Sequence, residues 1–324
     1  MISAECSALL AASSGWHPLY GDRLSNHLPM ALIALDGMGA PPAQLQLFAA
    51  HYSKRLTRRG SQLAALDPML ALGTSAHFEG VHRYFADGIA QQGVETVLRT
   101  WVPQLMPGVA ASAFHALIRL AYGLDACDTG EITSGLAYWV VEYQSLGVVG
   151  PTCARSLQQI AADTSAAIQG HRFRPGIIID RMAELAVHPA VQRVCLQPDC
   201  IDSHDIATFA LGTYAAREDF TLLHLVTACH AFAAIAAYAG DGTRAARYLW
   251  QAVLLAYLTT GQTGESLLSA PPDPHRNWQA CLQHAVTSLD DHVIKLVYTA
   301  WREFTRTQDP LYLHIAWRKA FAAG

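Results

Sequence analysis

The sequence predicts an all-α protein, a large multi-helix globular domain with a buried metal site. Three observations carry this. Apolar residues recur at helical spacing along most of the 324-residue chain. Alternating β-branched runs bounded by turn residues, the mark of strands, are scarce. Four of the fifteen histidines and one lysine stand inside apolar helical runs, where a polar ring or amine needs a partner.

The first strong helix signal follows Asn26-His27-Leu28, where Pro29 occupies a first-turn position and Met30 to Leu35 continue as an apolar helix. Gly37 and Gly39 end it, and Pro41-Pro42 open the next helix through Leu45, Leu47, Phe48 and Tyr52. Further helices are predicted at about 88–106, 108–124, 131–146, 151–169, 179–188, 203–215, 218–239, 243–259, 276–305 and 310–322. Glycine and proline punctuate them at Pro107-Gly108, Gly130, Gly147 to Gly150, Gly240-Asp241-Gly242 and Pro271-Pro272. No repeat of fixed length is present, which argues against a helical solenoid. The reading is a single domain over 1–324. The mixed stretch from His171 to Cys200, with Arg172, Arg174, Pro175 and the run Gly176 to Asp180, is the place for a joint between two intimate halves.

Composition narrows the function. With 52% hydrophobic and only 15% charged residues, little of the chain is left for a solvated tail. A net charge of −4 gives no reason to expect nucleic acid, and the basic run Lys54 to Arg59 reads as the polar end of one helix. Seven cysteines without a C-x-x-C pair argue against a disulfide framework and a thiolate zinc site, so a reduced, cytoplasmic protein is expected. The N-terminus has no basic n-region, and no signal peptide is expected. Residues 221–239 are uncharged and long enough to span a bilayer. Their two histidines and many alanines favour a buried central helix, and no membrane is expected.

The histidines divide by setting. His17, His51, His171, His188, His204 and His275 stand among polar or turn residues and read as surface groups. His27, His115, His224 and His292 stand in apolar helical contexts. Metal ligation with a hydrogen bond on the other nitrogen satisfies such a ring. A core histidine bonded to a carbonyl or carboxylate does so equally. Spacing alone does not show that the four converge. His230, six residues after His224, points well away from it on an ideal helix.

Only Lys54, Lys295 and Lys319 are lysines among 22 basic residues. Lys295 lies in the apolar run HVIKLVY, three residues after His292 and on the same helix face. A desolvated lysine becomes a nucleophilic amine and can take up carbon dioxide as a carbamate, an oxygen ligand for a metal. Alternatively it reaches solvent or pairs with Asp290 or Asp291. Glu79-x-x-His82 is a single copy of a motif that di-iron sites need twice. The motifs of zinc proteases, serine hydrolases, P-loop enzymes and Rossmann oxidoreductases are missing from the sequence.

At these residues the chain resembles the questin oxidase-like proteins of fungal aromatic polyketide pathways and of bacteria. The matching pieces are NHLPMALIALDGMGAPPAQLQ, PGVAASAFHALIRLAYGLD, FTLLHLVTACHAF and LDDHVIKLVYTAW, in order over nearly the whole chain. The resemblance implies a helical oxygenase that opens aromatic rings by oxidative C–C cleavage or Baeyer–Villiger-like chemistry. It also implies a mononuclear non-haem iron bound by His27, His115, His224, His292 and carboxylated Lys295, with His230 as the substitute for His292. Fungal members carry a second histidine one turn after the position of His115, where this chain has Arg119, so the anthraquinone substrate is not carried over.

The expectation is therefore an Fe(II)-dependent oxygenase that uses O2 on a small aromatic or polycyclic molecule, with the reductant and oligomeric state not given by the sequence. Tyr138, Trp139, Tyr143 and Tyr298 are candidates to face a flat substrate, with ordinary core packing as the alternative. The rival readings are a zinc hydrolase with the same ligands and a non-catalytic helical scaffold.

Overall fold

The structure is a computed structural model and describes residues 2–262 and 276–321. His275 and the turn at Pro271-Pro272 lie outside the described residues. The described chain forms sixteen α-helices and four two-residue strands, which makes the fold all-α. Contacts divide it into two compact units. The first comprises Met1–Val94, Ile118–Val141 and Ser269–Gly324, and the second Glu95–Leu117 and Glu142–Leu268. Residues 171–200 lie within the second.

The first unit begins with α1 (Ala4–Ser13), which the apolar pattern does not predict; the Ser3 hydroxyl accepts from the Cys6 amide at 3.1 Å and caps it. A short antiparallel pair, β1 (Leu19–Tyr20) and β2 (Leu24–Ser25), leads to α2 (Leu28–Gly37), with Pro29 in its first turn as expected. Then come α3 (Pro42–Tyr52) and α4 (Phe78–Gln92). The single helix predicted over 88–106 is two helices, α4 and α5 (Val94–Leu105), because Gly93 between them has φ +82°.

Helix α6 (His115–Ala126) starts later than predicted. Ser112, Ala113 and Phe114 have φ of 51°, 53° and 70°. Such left-handed residues cannot continue a right-handed helix, and each costs on the order of 1–2 kcal/mol without glycine. Helix α7 (Thr129–Val141) packs against α4 in the first unit, and its Trp139 is fully buried.

The second unit continues with β3 (Thr152–Cys153), α8 (Leu157–Ala167), α9 (Ile178–Ala186), α10 (Pro189–Gln192) and β4 (Gln197–Pro198), which pairs in parallel with β3. It closes with α11 (Ser203–Ala216), α12 (Phe220–Ile235) and α13 (Gly242–Leu258). Asp219 caps α12, accepting from the amides of Thr221 at 2.7 Å and Leu222 at 3.3 Å. Helix α12 packs against α11 and α13, which also meet each other. With its 3-10 extension, Phe220–Tyr238 is long and apolar enough to cross a membrane, but 61% of that window is buried inside the protein.

The chain then completes the first unit with α14 (Trp278–Thr287), α15 (Asp291–Thr307) and α16 (Leu311–Phe321). The predicted helix over 276–305 is divided at Ser288 to Asp290, where the Asp290 carboxylate accepts the His292 amide at 2.8 Å and restarts the helix as its cap. Helix α15 packs on α2, α14 and α16. These contacts bury Lys295 and Asp291 at 3% and 6% exposure.

Candidate metal centre

The five residues expected to hold a metal fall into two groups, one in each unit. In the second unit, His115 at the start of α6 and His224 on α12 bring their Nε2 atoms to 3.2 Å. Both rings are buried. The left-handed turn before α6 aims the Ser112 carbonyl at His115 Nδ1, 2.6 Å away. The Phe220 carbonyl, one helical turn before His224, lies 2.7 Å from its Nδ1.

These contacts decide the tautomer. A carbonyl can only accept, so each Nδ1 carries its hydrogen and each Nε2 presents a lone pair. Moving either proton to Nε2 would set a bare nitrogen against a carbonyl oxygen. Two lone pairs at 3.2 Å repel unless a proton or cation lies between them. Two imidazoles on one ion, with metal–nitrogen bonds of about 2.1 Å at roughly 100°, bring their nitrogens to about this separation. The donor pair fits a divalent metal.

In the first unit, His27 immediately before α2 meets Asp291, His292 and Lys295 from α15. His27 Nδ1 hydrogen-bonds the Asp291 carboxylate. His292 Nδ1 lies 3.4 Å from Asp291 and 3.5 Å from Asp290. The two rings meet edge to face at 5.2 Å. Lys295 Nζ is 3.8 Å from the same Asp291 oxygen. One ligand atom from each of His27, Asp291 and His292 falls within 4.8 Å of the others, close enough to share an ion.

Burial and the nearby Lys295 charge push His27 down to about 3, against the pull of Asp291. The His27–Asp291 contact is therefore a neutral ring donating to a carboxylate, not an ion pair. Burial raises the Asp291 carboxyl, but the His27 hydrogen bond and the surrounding positive charges outweigh it and hold the group below the usual carboxylate range. Burial pushes Lys295 down to about 8, with Asp291 and Asp290 opposing. Both sequence alternatives for Lys295 are thus present together: a desolvated amine, and one beside Asp291. Asp291 is the residue that sequence reasoning missed as a site member. Its place immediately before His292 and four before Lys295 was the available signal.

A family model, questin oxidase-like, matches residues 24–300. The chain belongs to the questin oxidase-like family. The match covers all five expected ligands, and membership points to an oxidative enzyme. No curated protein matches the chain.

Several features of this questin oxidase-like chain are structural. Arg119, one turn after His115, is buried and grips Glu131 through two bonds of 2.7 and 3.0 Å. Removing either partner would strand a buried charge, at a cost of about 3–5 kcal/mol. Glu79 of the E-x-x-H motif pairs with Arg59 at 2.6 Å, and Arg59 also meets His82 at 3.3 Å. The basic run is not one helix end. It leaves α3 at Tyr52, with Arg55 over the Tyr52 ring and Arg58 over Trp16.

Tyr138, Trp139 and Tyr298 are buried. The Tyr138 hydroxyl bonds Ser25 at 2.8 Å, and Tyr298 bonds Asp125. Tyr143 packs on Gly108, where a Cβ would approach its ring within 2.4 Å. Among the histidines read as surface groups, His204 is exposed, whereas His17, His51, His171 and His188 are half-buried. His171 pairs with Glu184 at 2.9 Å, and His188 caps α10. His230 is half-buried, in contrast to His224 on the same helix.

Proposed function

We propose that this questin oxidase-like chain is a non-haem iron oxygenase that uses O2 on an aromatic or polycyclic small molecule. The observation that carries the reading is the shared orientation of the four histidines. His27, His115, His224 and His292 all turn Nδ1 toward an oxygen, of Asp291, Ser112, Phe220 and the Asp290–Asp291 pair respectively. For His27, His115 and His224 the arrangement leaves Nε2 as an electron-pair donor, which is how metal-ligating imidazoles are held. Imidazoles with oxygen donors suit iron(II) and also zinc.

Under this reading, His27, His115, His224 and His292 are the nitrogen ligands, and Lys295 supplies an oxygen ligand as its carbamate. When bound, iron(II) supplies the one-electron chemistry that O2 activation requires. The protein residues hold protons and charge. Asp291 keeps the Nδ1 hydrogen on His27, and the backbone carbonyls do the same for His115 and His224. The buried Lys295 amine loses its proton more readily than an exposed one and can add carbon dioxide, releasing a proton and becoming an anion. That anion beside Asp291 would be repelled unless a cation balanced both, so carbamate and metal are coupled.

Elemental analysis of protein purified without chelators tests the reading. Near-stoichiometric iron, together with substrate-dependent O2 consumption, is the expected result. Zinc with no O2 consumption would favour the hydrolase, and absence of any bound metal would overturn both. Lys295 is checked separately by magnetic resonance with isotope-labelled bicarbonate, with a carbamate signal expected in metal-loaded but not in metal-stripped protein.

A further inference from the structure

The second unit holds a pair of thiols that the proposed oxygenase chemistry does not use. Cys153 is in β3, and Cys195 lies two residues before β4, its parallel partner. Their sulfurs share one acceptor, the Gln197 carbonyl, at 3.4 and 3.6 Å. Cys153 Sγ also reaches the Cys195 carbonyl at 3.8 Å, and Cys195 Sγ reaches the Pro151 carbonyl at 3.1 Å. The two thiols are close enough to shift each other's ionisation, and the Arg155 guanidinium, itself 2.5 Å from Asp163, favours the anion of Cys153.

Both thiols are partly exposed. Cys195 also lines an open groove of about 500 Å³ with Leu146, Val148, Pro151, Val194 and Leu255. A small solute reaches them without any opening of the core. The other cysteines differ. Cys6, Cys229 and Cys281 are buried, and burial pushes Cys6 and Cys281 up to about 12, where almost no reactive thiolate exists near neutral pH. Cys127 and Cys200 are exposed. Against the small desolvation it meets, Cys153 is held below the usual thiol range by hydrogen bonds from Cys195 and Arg155, whereas Cys195 is raised.

We propose that Cys153 and Cys195 are a peroxide-oxidisable dithiol, a modification site that closes to a reversible disulfide between the β3 and β4 segments. The step balances with hydrogen peroxide as oxidant. The Cys153 thiolate attacks one peroxide oxygen, the O–O bond breaks, and hydroxide leaves and takes a proton to become water. The Cys153 sulfenic acid then loses its oxygen as a second water when the Cys195 sulfur attacks and gives up its hydrogen. Two thiols are oxidised, and one peroxide is reduced to two waters. Cys153, two residues before Arg155 and favoured as an anion by that guanidinium, is the attacking sulfur, and Cys195 is the resolving one.

The test uses the full chain carrying Cys127→Ser and Cys200→Ser, so that the tryptic peptides spanning 120–155 and 194–217 each hold one cysteine. Brief treatment with hydrogen peroxide is expected to join these two peptides, with the loss of two hydrogens and reversal by dithiothreitol. Adding Cys195→Ser should leave Cys153 as a sulfenic acid that dimedone traps, whereas adding Cys153→Ser should leave Cys195 largely unlabelled. Independent oxidation of both sulfurs to sulfinic acids without the joined peptide would overturn the proposal. Equal dimedone labelling of the two single-thiol variants would overturn the assignment of Cys153 as the attacking residue.

Discussion

In the second unit, His115 and His224 give their Nδ1 hydrogens to the backbone carbonyls of Ser112 and Phe220. In the first unit, His27 gives its hydrogen to the side chain of Asp291, which His292 and Lys295 also approach. Both arrangements fix the same tautomer. A carbonyl has no charge to lose and no side chain to replace, so the second-unit pair is set by backbone shape. A carboxylate titrates and is encoded by one codon, so the first-unit group is adjustable. The same tautomer is thus held by a strained backbone turn in the second unit and by a charge balance in the first.

The largest effect is expected from removing the rings. His115→Ala and His224→Ala are each expected to abolish most metal binding and activity, while His51→Ala leaves both unchanged, as read by elemental analysis and O2 uptake. Equal metal in all three variants would remove the second-unit pair from the ligand set.

Lys295→Arg is the next largest effect. Arginine keeps the positive charge and cannot form the carbamate, so metal and activity are expected to fall to near those of the ligand variants. Lys295→Ala should be inactive as well and regain part of its activity when a short carboxylic acid is supplied without bicarbonate. Full activity in Lys295→Arg would reduce Lys295 to a buried partner of Asp291.

Asp291→Asn acts on the first-unit group alone, because no equivalent substitution exists for the carbonyls of Ser112 and Phe220. Loss of the carboxylate that orients a metal-bound histidine typically lowers metal affinity about 10–100-fold. A competition titration with a chelator measures it. An unchanged affinity would show that Asp291 serves the fold and not the metal.

The smallest effect concerns acid stability of the metal-free protein. His27 lies at about 3 in the folded state against an ordinary 6.5. A depressed imidazole contributes stability that is fully present above 6.5 and is lost as pH falls toward about 3. His82, lowered to about 3 by burial and by Arg59 and Arg119, acts in the same direction. Asp291, held below the usual carboxylate range, adds a loss at still lower pH. Thermal melting should therefore move to lower temperature as pH drops below 6.5, and His27→Gln should flatten part of that slope. A melting temperature that does not respond to pH between 6.5 and 4 would contradict the neutral-ring assignment.

Much of this protein was decided by sequence alone. Helical periodicity and the placement of Pro29, Pro42 and the glycines determined an all-α chain, because local apolar spacing must be buried one face at a time. The apolar settings of His27, His115, His224 and Lys295 determined that each would be buried, since their neighbours could not be left in water. Other features depended on contacts distant in sequence or on backbone angles that carry no residue signature. Gly93 divides a continuous apolar pattern into α4 and α5 because its φ of +82° stops the helix, and composition cannot report an angle. The left-handed turn at Ser112 to Phe114 uses no glycine, so nothing in those residue types announced it. The meeting of His27 with Asp291 spans 264 positions in the chain. Only the packing of α2 on α15 brought that ring to that carboxylate, because a hydrogen bond between distant residues is fixed by where helices dock and not by what either helix prefers to be.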